Sequence, residues 1–133
     1  TIKNRIISFF KYRGIKFPTY LEDPSELDWP EDWEGLHYDM MPKITRELNR
    51  EICKEHVLYK IPCCALGRRT DRDDFLFQIE SDKGSFAIVH LTWQKETNST
   101  WPTTELFNKF EDAFPVKVRN KNRQAMQNNA CML

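Results

Sequence analysis

Residues 74–93 read DFLFQIESDKGSFAIVHLTW, and this stretch decides the fold. Phe75, Phe77 and Ile79 alternate with Leu76, Gln78 and Glu80, a period of two that predicts a half-buried strand. Ser81-Asp82-Lys83-Gly84 is turn chemistry ending on glycine. Residues 85–94 are apolar on both parities, which predicts a central strand covered on both sides. So short a connection cannot carry a parallel crossover, so the two strands pair antiparallel.

Working outward, VLYKIPCCALGRR (57–69) predicts a third strand, with Pro62 pushing it toward an edge or a bulge because proline donates nothing to a ladder. Before it, PKITRELNREICKEH (42–56) predicts a helix. Pro42 suits its first turn, Ile44, Leu48 and Ile52 recur every four residues with Cys53 beside them, and Arg46, Glu47, Arg50, Glu51 and Lys54 fill the wet side. Residues 1–14 place Ile2, Ile6, Phe9 and Phe10 on one helical face and stop at Gly14. Between these helices, prolines 18, 24 and 30 forbid a long regular element, so residues 15–41 read as a connection with at most one short helical turn. Downstream, TTELFNKFEDAF (103–114) puts Leu106, Phe107, Phe110 and Phe114 on one stripe and predicts a last helix closed by Pro115. The expected architecture is α+β, a single domain over 1–118 in the order α-loop-α-β-β-β-α. It is a three- to four-stranded antiparallel meander with helices mainly on one face, followed by a polar basic tail over 119–133 that is expected to be mobile.

The net charge is zero, yet the charges are segregated. Residues 1–16 hold five bases and no acid, residues 17–42 eight acids and no base, and residues 115–133 four bases and no acid. Such blocks make a dipolar surface that can steer a charged partner when net charge cannot. No apolar run nears the roughly 18 residues that cross a bilayer, and a cytoplasmic, membrane-free location is expected. Cys53, Cys63, Cys64 and Cys131 have no zinc spacing, and adjacent Cys63 and Cys64 do not bridge without strain, so reduced, buried thiols are expected and no metal or cofactor.

Catalytic motifs are absent from the sequence: no GxGxxG, P-loop, HExxH or GxSxG. His90, in the middle of a strand, is either a structural histidine or a general base with Asp74, Glu80 or Cys63 as neighbours from adjacent strands. Residues 42–114 follow the α-β-β-β-α order of double-stranded RNA-binding domains. The last helix, however, carries three acids and one lysine where such domains need a lysine cluster, so nucleic acid is not expected as a partner. Residues 21–35, LEDPSELDWPEDWEG, carry seven acids, no base and two tryptophans. Either the indoles fold back onto the core and the acids face water, or the stretch is a binding surface in which rigid aromatics and carboxylates meet a basic partner. The two readings are compatible.

The segment FAIVHLTWQKETNSTWPTTELFNKFEDAF (86–114) resembles small bacterial proteins of unassigned function, possibly immunity-type, built on a VHLTW strand, a WP turn and a short helix. The resemblance implies architecture alone: Trp93 closing the core strand and Trp101-Pro102 setting the start of the last helix. From all this, the expected function is non-enzymatic protein binding of an immunity or inhibitor type, with no catalytic residue. Glu26, Asp28, Trp29, Glu31, Asp32, Trp33 and Glu34 would face a basic, toxin-like protein. The alternatives are a small enzyme centred on His90, or a weak nucleic-acid module using the basic ends.

Overall fold

The computed structural model describes residues 15–114; the expected first helix and the polar tail lie outside them. The described residues form one antiparallel sheet of five strands with one α-helix. The strands are β1 (Trp33–Gly35), β2 (Cys63–Arg69), β3 (Asp74–Ser81), β4 (Gly84–His90) and β5 (Thr104–Phe107), each hydrogen-bonded to the next in chain order. The helix α1 spans Met40–Glu51.

The central hairpin of β3 and β4 stands where the alternation, the turn and the apolar run placed it, with Phe75 opposite Val89 and Phe77 opposite Ala87. Strand β3 is buried through Phe75–Ile79 rather than half-buried, because a second layer covers the face that carries Leu76 and Gln78. Pro62 falls just before β2, so no ladder donor is lost, and its carbonyl accepts the Glu80 amide at 2.9 Å. Strand β2 is therefore interior, flanked by β1 and β3, with an irregularity between Ala65 and Gly67.

The expected last helix is a strand followed by a 3-10 turn (Phe110–Ala113). The open edge of β4 offers a row of backbone partners, and Phe107, Leu106, Glu105 and Thr104 take them opposite Phe86, Ala87, Ile88 and Val89. That pairing overrides the local helical period and sends Leu106 and Phe107 to opposite faces. With it goes the α-β-β-β-α order over 42–114. In the long connection the structure adds a 3-10 turn (Pro24–Glu26) and β1, a strand too short to leave a periodic signal.

Helix α1 covers one face of the sheet with Met41, Ile44 and Leu48, each worth about 1.5–3 kcal/mol of burial. Thr45, fully buried, fixes the register of helix on sheet: its hydroxyl donates to the Met41 carbonyl at 2.7 Å and accepts the Ala65 amide at 2.8 Å. We expect Thr45→Val to lower stability by about 2 kcal/mol in urea denaturation, because the Ala65 amide is then buried without an acceptor. An unchanged midpoint would show that this bond does not pin the helix.

The same face holds His56, which is buried. Its Nδ1 accepts the Leu58 amide at 3.0 Å, so Nε2 carries the proton toward the Pro102 carbonyl at 2.8 Å. Burial lowers its pKa, which keeps the ring neutral and structural. Cys63 and Cys64 are buried free thiols on the strand below; burial pushes Cys63 up to about 12 and Cys64 higher still.

Glu51 is fully buried, against its expected place on the wet side of α1. Its carboxylate accepts the Thr92 amide (2.8 Å), the Thr92 hydroxyl (3.1 Å) and the Trp93 amide (2.8 Å), and its backbone carbonyl accepts the Glu96 amide (2.9 Å). The chain after β4 is thus tied to the end of the helix. Trp93 does not close the core: it sits in the left-handed region at φ 61°, 47% exposed, packed edge-on against Phe75 with 6.2 Å between ring centroids.

Candidate functional site

The face of the sheet away from α1 carries Leu76, Gln78, Phe86 and Ile88, and the acidic connection lies across it. Gln78 clamps that connection down: its side-chain amide donates to the Tyr20 carbonyl at 2.7 Å and its oxygen accepts the Glu22 amide at 2.8 Å. Farther along, Trp29 lies over Gly67, where an added Cβ would fall 2.2 Å from the indole. The Trp29 ring NH donates to the Pro24 carbonyl at 2.8 Å, and the ring stacks on Trp33 at 6.5 Å between centroids. Phe110 and Phe114, from the 3-10 turn at the far end of the described residues, pack edge-on against Trp29 at 5.1 and 6.1 Å. Phe114 also meets Trp33 at 5.0 Å. The two tryptophans therefore fold back onto the core, half-buried, as one of the two compatible readings of 21–35 requires.

The carboxylates of the same stretch are distributed by the local backbone. Glu26, in the 3-10 turn, Asp28, just after it, and Glu31, in the turn that leads into β1, are exposed. Asp32 is half-buried, and its carbonyl accepts the Thr70 amide at 2.8 Å. Glu34 is exposed but, next to Trp33 on a strand, projects to the opposite face, opposite Arg68 in the register and 3.9 Å from its guanidinium. The structure thus packs Trp29 and Trp33 together on one face, leaves Glu26, Asp28 and Glu31 exposed along the connection, and places Glu34 on the opposite face.

Tyr20 is 66% exposed, yet its pKa is raised above 10.0, first by the charge of Glu22, then by burial, a hydrogen bond to Glu22 and the charge of Glu26. Asp23 caps the 3-10 turn through the Ser25 amide (3.0 Å) and hydroxyl (2.8 Å) and accepts the Tyr38 hydroxyl at 3.2 Å. Asp39 is held below its ordinary carboxylate range, first by its 2.6 Å hydrogen bond with His37. The sequence pointed to the acids and indoles; it gave no sign of the Tyr38–Asp23 contact, which joins residues 15 positions apart.

His90 does pair with Asp74, which faces it across β3 and β4: Nδ1 lies 2.7 Å from the carboxylate. That contact orients the imidazole and leaves Nε2 as the atom able to exchange a proton, the arrangement of a general base. The pair sits at an end of the hairpin with the His90 side chain 49% exposed, and the clefts near residues 16–61, 24–38 and 18–85 do not include it. Among the described residues, no group of three or more His, Cys, Asp or Glu side chains is placed to hold a metal ion, and no helix is long and apolar enough to cross a membrane. No protein-family model, curated protein or solved structure matches this chain.

Proposed function

We propose that this protein works by binding a basic protein, in the manner of an immunity or inhibitor protein, through the exposed acids of the connection that carries Trp29. One observation supports the reading above the others. The exposed acids Glu26, Asp28 and Glu31 are mounted on a backbone that the Trp29–Trp33 stack, Phe110, Phe114 and the Gln78 clamp hold against the sheet. Carboxylates held in place before the partner arrives lose little freedom on binding, and their field speeds encounter.

The test is affinity capture from a lysate with the wild-type chain and with Glu26→Lys/Asp28→Lys/Glu31→Lys, repeated at low and high salt. We expect the wild type to retain a basic protein whose association rate falls at least tenfold with the triple substitution and falls with added salt. If the retained proteins and their rates are the same for both chains, the binding reading is wrong.

A further inference from the structure

A cleft of about 330 Å³ opens where three segments meet: the chain at Lys16, the end of α1 with Asn49 and the adjoining Ile52, and the turn before β2 with Tyr59, Lys60 and Ile61. Each segment is fastened. The Lys16 carbonyl accepts the Cys63 amide at 3.0 Å, and the Asn49 side-chain amide donates to the Thr45 carbonyl at 2.9 Å. The turn is closed by the Tyr59 amide on the His56 carbonyl (3.0 Å) and the Ile61 amide on the Leu58 carbonyl (3.1 Å). Two features set the chemistry of the cleft. The first is charge. Lys16 and Lys60 both line it, no lining residue is acidic, and among the described residues neither ammonium is in an ion pair. The Lys60 ammonium lies 5.7 Å from the centre of the Tyr59 ring, a contact that positions the charge without neutralising it. The second feature is apolar: Ile52, Ile61 and the Tyr59 ring supply the walls. Lys60 also holds its backbone at φ 59°, a left-handed conformation that glycine adopts freely and a residue with a Cβ adopts at a cost. For the turn alone a lysine is therefore worse than a glycine, which ties this position to what its side chain does.

We infer that this cleft binds a small phosphate monoester, its phosphate meeting Lys16 and Lys60 and its organic part lying against Ile52, Ile61 and Tyr59. None of the lining residues belongs to the acidic stretch 17–42, so this site is independent of the protein-binding reading. A dianionic phosphate matches two ammonium charges, and lysine meets phosphate as a compact point charge, whereas a carboxylate brings one negative charge to the pair. The stretch 1–16, which holds five bases and no acid, ends at this cleft, and it adds to the positive potential that draws an anion in. The volume lies at the low end for small-molecule clefts, which fits one compact body and not a length of polymer.

The experiment titrates the full chain, in a buffer free of phosphate, with phenyl phosphate, inorganic phosphate and benzoate, followed by backbone and side-chain amide resonances in NMR. We expect saturable shifts at the amides of Lys60 and Ile61 and at the Asn49 side chain, with a Kd on the order of 1 mM for phenyl phosphate. Inorganic phosphate, which lacks the apolar body, and benzoate, which lacks the second charge, should each bind at least about fivefold more weakly. Lys60→Gly removes the ammonium and relieves the left-handed backbone, so its urea midpoint should hold or rise while phenyl phosphate binds about fivefold more weakly. Lys16→Met should weaken the ester to a similar extent and decides the matter if the first variant does not fold. No saturable shift at these residues, an unchanged Kd in either folded lysine variant, or inorganic phosphate or benzoate binding as tightly as the ester overturns the inference.

Discussion

Glu51→Ala should cost about 3 kcal/mol and release residues 92–96 from the end of α1. The side chain is fully buried, and its two oxygens accept three donors, the Thr92 amide and hydroxyl and the Trp93 amide. Removing an acceptor leaves those donors to lose their bonds together, at about 1–3 kcal/mol for each buried one. The Glu51 carboxylate also offsets the left-handed backbone of Trp93 at φ 61°, a conformation that costs a residue with a Cβ about 1 kcal/mol. Urea denaturation and amide exchange at Thr92 and Trp93 read the two effects separately. An unchanged midpoint with retained protection would show that the carboxylate does not hold this segment.

The same group makes stability depend on pH. Burial raises the Glu51 carboxyl from 4.5 to about 7; a hydrogen bond to Glu47 adds to the rise, and the Thr92 and Trp93 bonds oppose it. The neighbouring Glu47 is itself engaged by Arg50 at 2.6 Å, which favours leaving the shared proton on Glu51. The folded state therefore holds this proton to higher pH than the unfolded chain does. Its contribution is complete below about pH 4.5 and is lost as pH rises through about 7, a fall of roughly 2–3 kcal/mol across that window. Glu51→Gln imitates the protonated acid, so it should lose this fall and keep the opposite slope of His56, whose lowered pKa makes stability rise with pH over the same range. A difference profile, wild type minus Glu51→Gln, that rises between these values would contradict the assignment.

The second large effect is a coupling. Gly67 lies under Trp29, and a methyl group there would fall 2.2, 2.4 and 2.8 Å from three indole carbons. The ring is held on its other sides by Trp33, Phe110 and Phe114 and cannot slide away. Gly67→Ala should therefore cost about 2–3 kcal/mol by overpacking, and Trp29→Ala about 3 kcal/mol by lost burial. In the Trp29→Ala background, Gly67→Ala should cost almost nothing, because the atoms it strikes are gone. The double-mutant cycle then gives a coupling of about 2–3 kcal/mol. Additive effects would mean that glycine is needed at 67 for some reason other than the indole.

The parts of this fold that the sequence disclosed are those whose signal is local. Alternation drew β3, a run apolar on both parities drew β4, and the four-residue recurrence of Ile44 and Leu48 drew α1. The parts it concealed are determined by partners. Strand β5 carries a helical stripe and becomes a strand because β4 presents an open edge, and β1 is three residues long and exists through its register with β2. Glu51 looked solvated by charge alone, although its position, three residues after Leu48 and seven after Ile44, places it on the buried stripe. In the candidate site, the acids and tryptophans were plain in the sequence. Sending Trp33 inward and Glu34 to the other side follows only once residues 33–35 are known to be extended.

The sheet ends in two very short borders, three residues at β1 and four at β5, and each is preceded by a proline, at positions 30 and 102. A border that brief, with a residue nearby that cannot donate, gives an incoming foreign strand almost no ladder to extend. Among the described residues, both borders of the sheet are thus poor templates for edge-to-edge pairing.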